Sequence, residues 1–147
     1  PHAAPPVDSA KLRFDLGLDM LKAYYADLER GTIGFIGFML VVTGWVMTST
    51  AARQSLSADR VTAVLFGVAL AASGWAFVRI IDHRFKRALE MLVLVRRAAE
   101  ACGIEPEWYD RYAFKPSHRW EYLLPGLVVA LLALAATALA ASGHPVP

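Results

Sequence analysis

The chain has one cysteine, Cys102, in 147 residues. That excludes an intramolecular disulfide framework, a Cys-x-x-Cys redox pair and a cysteine zinc site, and it leaves a free thiol that behaves as a small hydrophobe. Charge is scarce as well: Asp, Glu, Lys and Arg make up 19% of residues, against roughly 25% in an average soluble domain. A net charge of +2 supplies no basic surface of the kind that holds nucleic acid. No Gly-x-Ser-x-Gly elbow, Walker loop or dinucleotide glycine fingerprint occurs, so the usual local signatures of nucleophilic and nucleotide chemistry are missing. What occupies the chain instead is apolar, 56% hydrophobic residues with a mean hydropathy of +0.41.

The apolar residues are concentrated in three windows, 32–51, 61–81 and 122–142, in which ionisable residues occur only at the ends. As helices rising about 1.5 Å per residue, each reaches across the roughly 30 Å hydrocarbon core of a bilayer. None shows the period-2 alternation of a barrel strand. The expected fold is therefore an all-α integral membrane protein with three transmembrane helices. Residues 52–60, with Ser55, Ser57 and Asp59, read as a tight turn that closes the first two spans into an antiparallel hairpin, Asp59 serving as N-cap of the second. The residues outside the spans are too few for a conventional soluble catalytic domain of about 100 residues.

Orientation follows from the basic residues. Of the 15 Lys and Arg, only Arg53 and Arg60 lie in the turn, and the tail 143–147 has none. The positive-inside rule then puts the N-terminus in the cytoplasm and the C-terminus outside. Composition suggests a GC-rich bacterium, hence an inner membrane. The first 30 residues lack an apolar h-region and mix Asp8, Asp15, Asp19, Asp27 and Glu29 with their basic residues, so they are not expected to be a secretory signal. Pro1 is compatible with removal of an initiator methionine.

Two further helices are expected on the cytoplasmic side. Within the N-terminal segment 1–31, Phe14, Leu18, Leu21, Tyr25 and Leu28 recur every three or four residues and form one helical face. Asp8 or Ser9 is the expected N-cap and Gly31 an expected bend before the first span. Leu12, Leu16 and Met20 form a second apolar patch, and the helix is suited either to the headgroup layer or to packing on another helix, with packing favoured by its mixed charge. In the segment 82–121, the second span is expected to continue as a rigid helix to about Cys102, with Ile81, Phe85, Ala88, Leu92, Val95 and Ala99 as its apolar stripe. Gly103 at C′, Ile104 and then Pro106 form a stop signal. Trp108, Tyr109, Tyr112, Phe114, Trp120 and Tyr122 make an aromatic connector, a candidate surface for docking at the membrane interface or on a partner. Pro116 and Pro125 argue against a continuous helix there, Pro125 being suited to the first turn of the third span.

Candidate chemistry is sparse. Spans free of internal acids, bases and histidines do not suit proton relays, ion-coupled transport or charged selectivity rings. His2, His83, His118 and His144 all fall outside the spans, which disfavours a histidine-held haem within them. Asp82, His83 and Arg84 are adjacent, yet neighbours on a helix point in different directions. Glu105, Glu107, Asp110 and His118 match no strong metal motif. Neither a catalytic nor a metal site is expected, and cofactor content stays open because a quinone or pigment held by apolar contact leaves no motif. Arg79, Arg84, Lys86 and Arg87 suit anionic lipid headgroups. Gly34, Gly37, Gly44, Gly67, Ala71, Gly74, Ala133, Thr137 and Ala141, with Gly126 and Ala130, provide small-residue surface for close helix packing.

The order of amphipathic helix, hairpin, long cytoplasmic helix, aromatic connector and final span resembles the layout of small bacterial membrane proteins of uncharacterised function. The hairpin is also similar to the two-span effectors of nucleotide-activated bacterial defence systems, from which the third span departs. No site residue is carried over from either resemblance. Packing surface without chemistry predicts a non-catalytic accessory or scaffold subunit of a larger membrane complex, its partners being lipids and other subunits or copies of itself. The alternative is a homo-oligomeric pore or membrane-perturbing protein lined by Thr43, Thr48, Ser73 or Thr137.

Overall fold

A computed structural model describes residues 7–104 and 118–142. The described residues form four helices and no strand: α1 Val7–Thr48, α2 Thr50–Ala58, α3 Arg60–Ala101 and α4 His118–Ala141. Three of them, α1, α3 and α4, are long and apolar enough to cross a membrane.

The boundaries differ from expectation in four places. Helix α1 runs unbroken through Gly31, and it is already helical at Val7, so Asp8 and Ser9 lie inside its first turn. A mid-helix glycine costs only about 1 kcal/mol, and Leu28 and Thr32 on either side of it are both buried. The stretch read as a turn is the helix α2. Its Ser49 N-cap Oγ accepts the Ala52 N–H at 3.2 Å, and Ala52 and Leu56 bury its inner face. Helix α4 begins at His118, ahead of Tyr122, which leaves Pro125 in its interior rather than its first turn. The missing proline N–H deprives a carbonyl one turn back of its donor, yet the helix continues past it.

Two expected helix signals are present in full. Asp59 ends α2 and starts α3, its carboxylate accepting the Val61 N–H at 3.0 Å, the Thr62 N–H at 3.2 Å and the Thr62 hydroxyl. Helix α3 stops at a Schellman cap. Gly103 adopts φ +69°, its N–H bonds the Glu100 carbonyl at 3.1 Å, and the Ile104 N–H bonds the Ala99 carbonyl at 3.0 Å.

The chain divides into two compact units, the first Pro1–Glu29 with Asp82–Arg119 and the second Arg30–Ile81 with Trp120–Pro147. In the first, Phe14, Leu21 and Leu28 of the α1 stripe and Phe85, Ala88, Val95 and Ala99 of the α3 stripe are buried. Phe14, Val95 and Ala99 form its core cluster, with Met91, Ala98, Cys102 and Ile104 packed around it. The amphipathic face of α1 therefore packs on α3, and Leu12, Leu16 and Met20 stay exposed.

In the second unit one cluster joins Met39, Leu70 and Ala133 and another joins Val46, Leu56, Ala136 and Ala140, so α1, α2, α3 and α4 all contribute. Phe35 and Phe77 stack with ring centroids 4.2 Å apart and planes 8° from parallel. Against that pair lies Gly126, where an added Cβ would collide with the Phe77 ring, its Cζ only 2.6 Å away.

Candidate functional site

The small-residue positions fall into two groups. Gly74, Ala133 and Thr137 are buried inside the second unit, and a Cβ at Gly74 would meet the Ala130 Cβ at 3.6 Å, an ordinary contact. Ala141 is half-buried and Ala71 exposed. At Gly34, Gly37, Gly44 and Gly67 an added Cβ would meet nothing within 4 Å. The chain thus uses one set of small residues for its own packing and presents another outward. Only 17% of the most apolar stretch of α1, the same share of α3 and 39% of that of α4 is buried within the chain.

Each hydroxyl considered for a polar pathway is already committed to its own helix. Thr43 donates to the Met39 carbonyl at 2.7 Å, Thr48 to Gly44 at 2.7 Å, Ser73 to Ala69 at 2.8 Å and Thr137 to Ala133 at 2.8 Å. This back-bonding to the carbonyl four residues earlier satisfies the donor without a partner helix or water. Thr32, outside that set, differs. Its Oγ1 is buried without a hydrogen-bond partner among the described residues.

The four basic residues assigned to lipid headgroups have separate roles. Arg84 donates to the Asp27 carbonyl at 3.1 Å and lies 3.8 Å from its carboxylate, tying α3 to α1. Lys86 pairs with Asp82 at 2.9 Å, and Asp82 also receives Arg119 at 3.0 Å. Asp82 is only 17% exposed, so two cations surround a mostly buried carboxylate. That arrangement makes Asp82 a structural anchor, and its neighbour His83 is exposed. Arg79 lies 6.0 Å over the exposed Trp75 ring, a cation–π pair suited to a membrane–water interface. Arg87 is exposed with no ion pair among the described residues.

Sequence reasoning did not find the Asp82–Arg119 pair, because its partners are 37 residues apart and no local spacing links them. Gly17 was also missed. A Cβ there would stand 2.9 Å from Val95 Cγ2, a close approach of α1 to α3 hidden within the amphipathic repeat. A signal for α2 was present in the serine three residues before Ala52, a capping position ahead of an alanine-rich run.

Of the aromatic connector, Trp120 is exposed and Tyr122 half-buried at the start of α4, while Trp108, Tyr109, Tyr112 and Phe114 lie outside the described residues. So do Glu105, Glu107 and Asp110 of the weak metal group; His118 is half-buried. Among the described residues no three His, Cys, Asp or Glu side chains come together to hold a metal. Cys102 is a half-buried free thiol. The Thr62 hydroxyl, then the Val61 and Thr62 amides, hold the Asp59 carboxyl below the ordinary value of 3.8.

No protein-family model, no curated protein and no solved structure matches this chain. The functional reading accordingly rests on the surfaces described above.

Proposed function

We propose that this chain is a non-catalytic accessory or scaffold subunit of a larger bacterial inner-membrane complex, with its N-terminus in the cytoplasm. The observation that carries this reading is the outward set of glycines. Gly34, Gly37, Gly44 and Gly67 keep helix backbone bare with nothing against it, and bare backbone is what permits close approach of another membrane helix. The orientation rests on the concentration of Lys and Arg in the segments 1–31 and 82–121. In this reading Trp120, Tyr122 and the rest of the aromatic connector meet the interface or the partner, and Arg79 and Arg87 meet anionic headgroups.

The homo-oligomeric pore is the second reading. The hydroxyls of Thr43, Thr48 and Ser73 spend their donors within their own helices and keep only acceptor lone pairs for a pathway, which favours the first.

Native purification in mild detergent, with mass determination and identification of co-eluting proteins, tests the proposal. A reproducible heteromeric complex is the expected result. A stable isolated monomer carrying all activity would overturn it, and a defined homo-oligomer that passes ions in liposomes would replace it with the pore.

A further inference from the structure

In the first unit α1 and α3 run antiparallel, since Arg84 holds Asp27 while Val95 lies against Gly17. Along one side of this pair is a groove of about 450 Å³. The residues at its depth are small: Val95 is buried and Gly17 and Ala98 half-buried, whereas Leu16, Met20 and Leu94 stand exposed at its sides. Small residues at depth let a third helix seat close, and long flexible side chains above them adapt to its surface. At about 1.5 Å per residue the α3 wall from Met91 to Ala101 is ~15 Å long, enough for apolar anchors at i, i+3 or i+4, and i+7 of a helix laid along it.

Charge defines what kind of helix fits. Arg13 stands on the α1 wall and Arg97 on the α3 wall. Gly17 faces Val95 and the helices run in opposite directions, so Arg13 is level with Ala99, about 3 Å along the axis from Arg97. The two arginines therefore flank the groove near one level, and its apolar lining continues past them both ways, to Met20 and Met91 and to Ala101. Neither arginine has an ion-pair partner among the described residues. The complement is an apolar stripe with a carboxylate at each edge, the pattern of flanking charges at a coiled-coil seam. A two-fold self-contact would instead bring the basic pairs of both copies into one interface.

We propose that this groove receives an acidic amphipathic helix of a partner subunit, its apolar stripe over Gly17, Val95 and Ala98 and its edge carboxylates on Arg13 and Arg97. That the helix belongs to a partner subunit rests on the accessory-subunit reading; its charge pattern rests on the groove.

The test uses the full chain in phosphatidylcholine nanodiscs and a fluorescent designed helix of about 18 residues, a leucine stripe edged by glutamate, with binding to empty discs subtracted. Saturable binding is expected, weakened about tenfold when lysine replaces the edge glutamates and weakened also by high salt. Arg13→Glu/Arg97→Glu should reverse the preference in favour of the lysine-edged helix, a gain that misfolding does not produce. Equal binding of the two helices to the natural chain, or none above empty discs, overturns the proposal, and that comparison needs no variant to fold. In the native complex, a benzophenone side chain in place of Leu94 should cross-link to a segment of the co-purifying subunit that carries Asp or Glu at both edges of an apolar stripe. Adducts to any other segment, to lipid, to a second copy or to residues 105–117 of the same chain overturn the groove assignment, while the co-purifying complex itself upholds the accessory-subunit reading. A chain that purifies alone overturns that reading and the partner with it.

Discussion

A methyl group added at Gly126 runs into the Phe77 ring, which is also stacked on Phe35. At Gly37 the same methyl meets nothing within 4 Å. Gly126→Ala should therefore destabilise the isolated chain by about 1–3 kcal/mol through overpacking, read as a fall in unfolding temperature in detergent. Gly37→Ala should be neutral or stabilising by up to about 1 kcal/mol, because alanine is the better helix former. In the accessory-subunit reading Gly37→Leu leaves that unfolding temperature near wild type and removes the co-purifying partner; retention of the partner would count against the glycine face as the contact. Spacing alone did not separate Gly126 from Gly34 or Gly37. A small residue every three or four positions marks where backbones are able to approach, and which of them do so depends on ring positions in another helix.

Among the elements, the junctions held by charge differ in strength. Asp82 is mostly buried and takes Lys86 and Arg119 at 2.9 and 3.0 Å, whereas the Arg84–Asp27 contact is 3.8 Å long with both side chains well exposed. Asp82→Asn should cost roughly 1–2 kcal/mol, allowing for screening of the two more exposed cations, and Asp27→Asn under about 0.5 kcal/mol. Thermal unfolding of the two variants at low and high salt checks this ordering.

The junction of α2 with α3 carries the pH dependence. Because the folded state holds the Asp59 carboxyl below its ordinary value, its contribution is complete above about pH 4 and disappears as pH falls through the depressed folded value. Asp59→Asn, which keeps the capping shape without the titration, should flatten the acid limb of a stability profile below about pH 4. An unchanged limb would show that other carboxylates dominate. Asp59 was legible as a cap because its signal is local. The helix α2 was not, because Ser49 lies at the end of an apolar run and the polar residues that follow have the composition of a turn. Gly31 and Pro125 misled in a related way: both carry a real backbone penalty, about 1 kcal/mol for glycine and about 3 for proline, and helix on either side outweighs it.

At the scale of the whole molecule, three helices able to cross a membrane were legible because hydrocarbon thickness sets a length and a composition that few other constraints demand together. The extension of α3 to Ala101 was legible too, from an apolar stripe that ends on a glycine cap. What covers the outward faces of the spans was not, since lipid and a partner helix select the same apolar side chains. Orientation is open to direct measurement through the single native thiol. If the N-terminus is cytoplasmic, Cys102 should react with a membrane-impermeant maleimide in inverted vesicles and be protected in right-side-out ones. Ser142→Cys in a Cys102→Ser background should show the reverse. The opposite pattern in both would invert the topology.

The Phe14 cluster has a consequence for the order of events during synthesis. Phe14 leaves the ribosome about 80 residues ahead of Val95 and Ala99, the residues that cover it. At roughly 5–20 residues per second that is a delay on the order of 4–16 s. Throughout that interval the apolar face of the N-terminal helix has no protein partner. If the chain spans a bilayer as proposed, the nearest apolar phase in that interval is the lipid beside the adjoining stretch of α1, and this face docks on α3 only once α3 is complete.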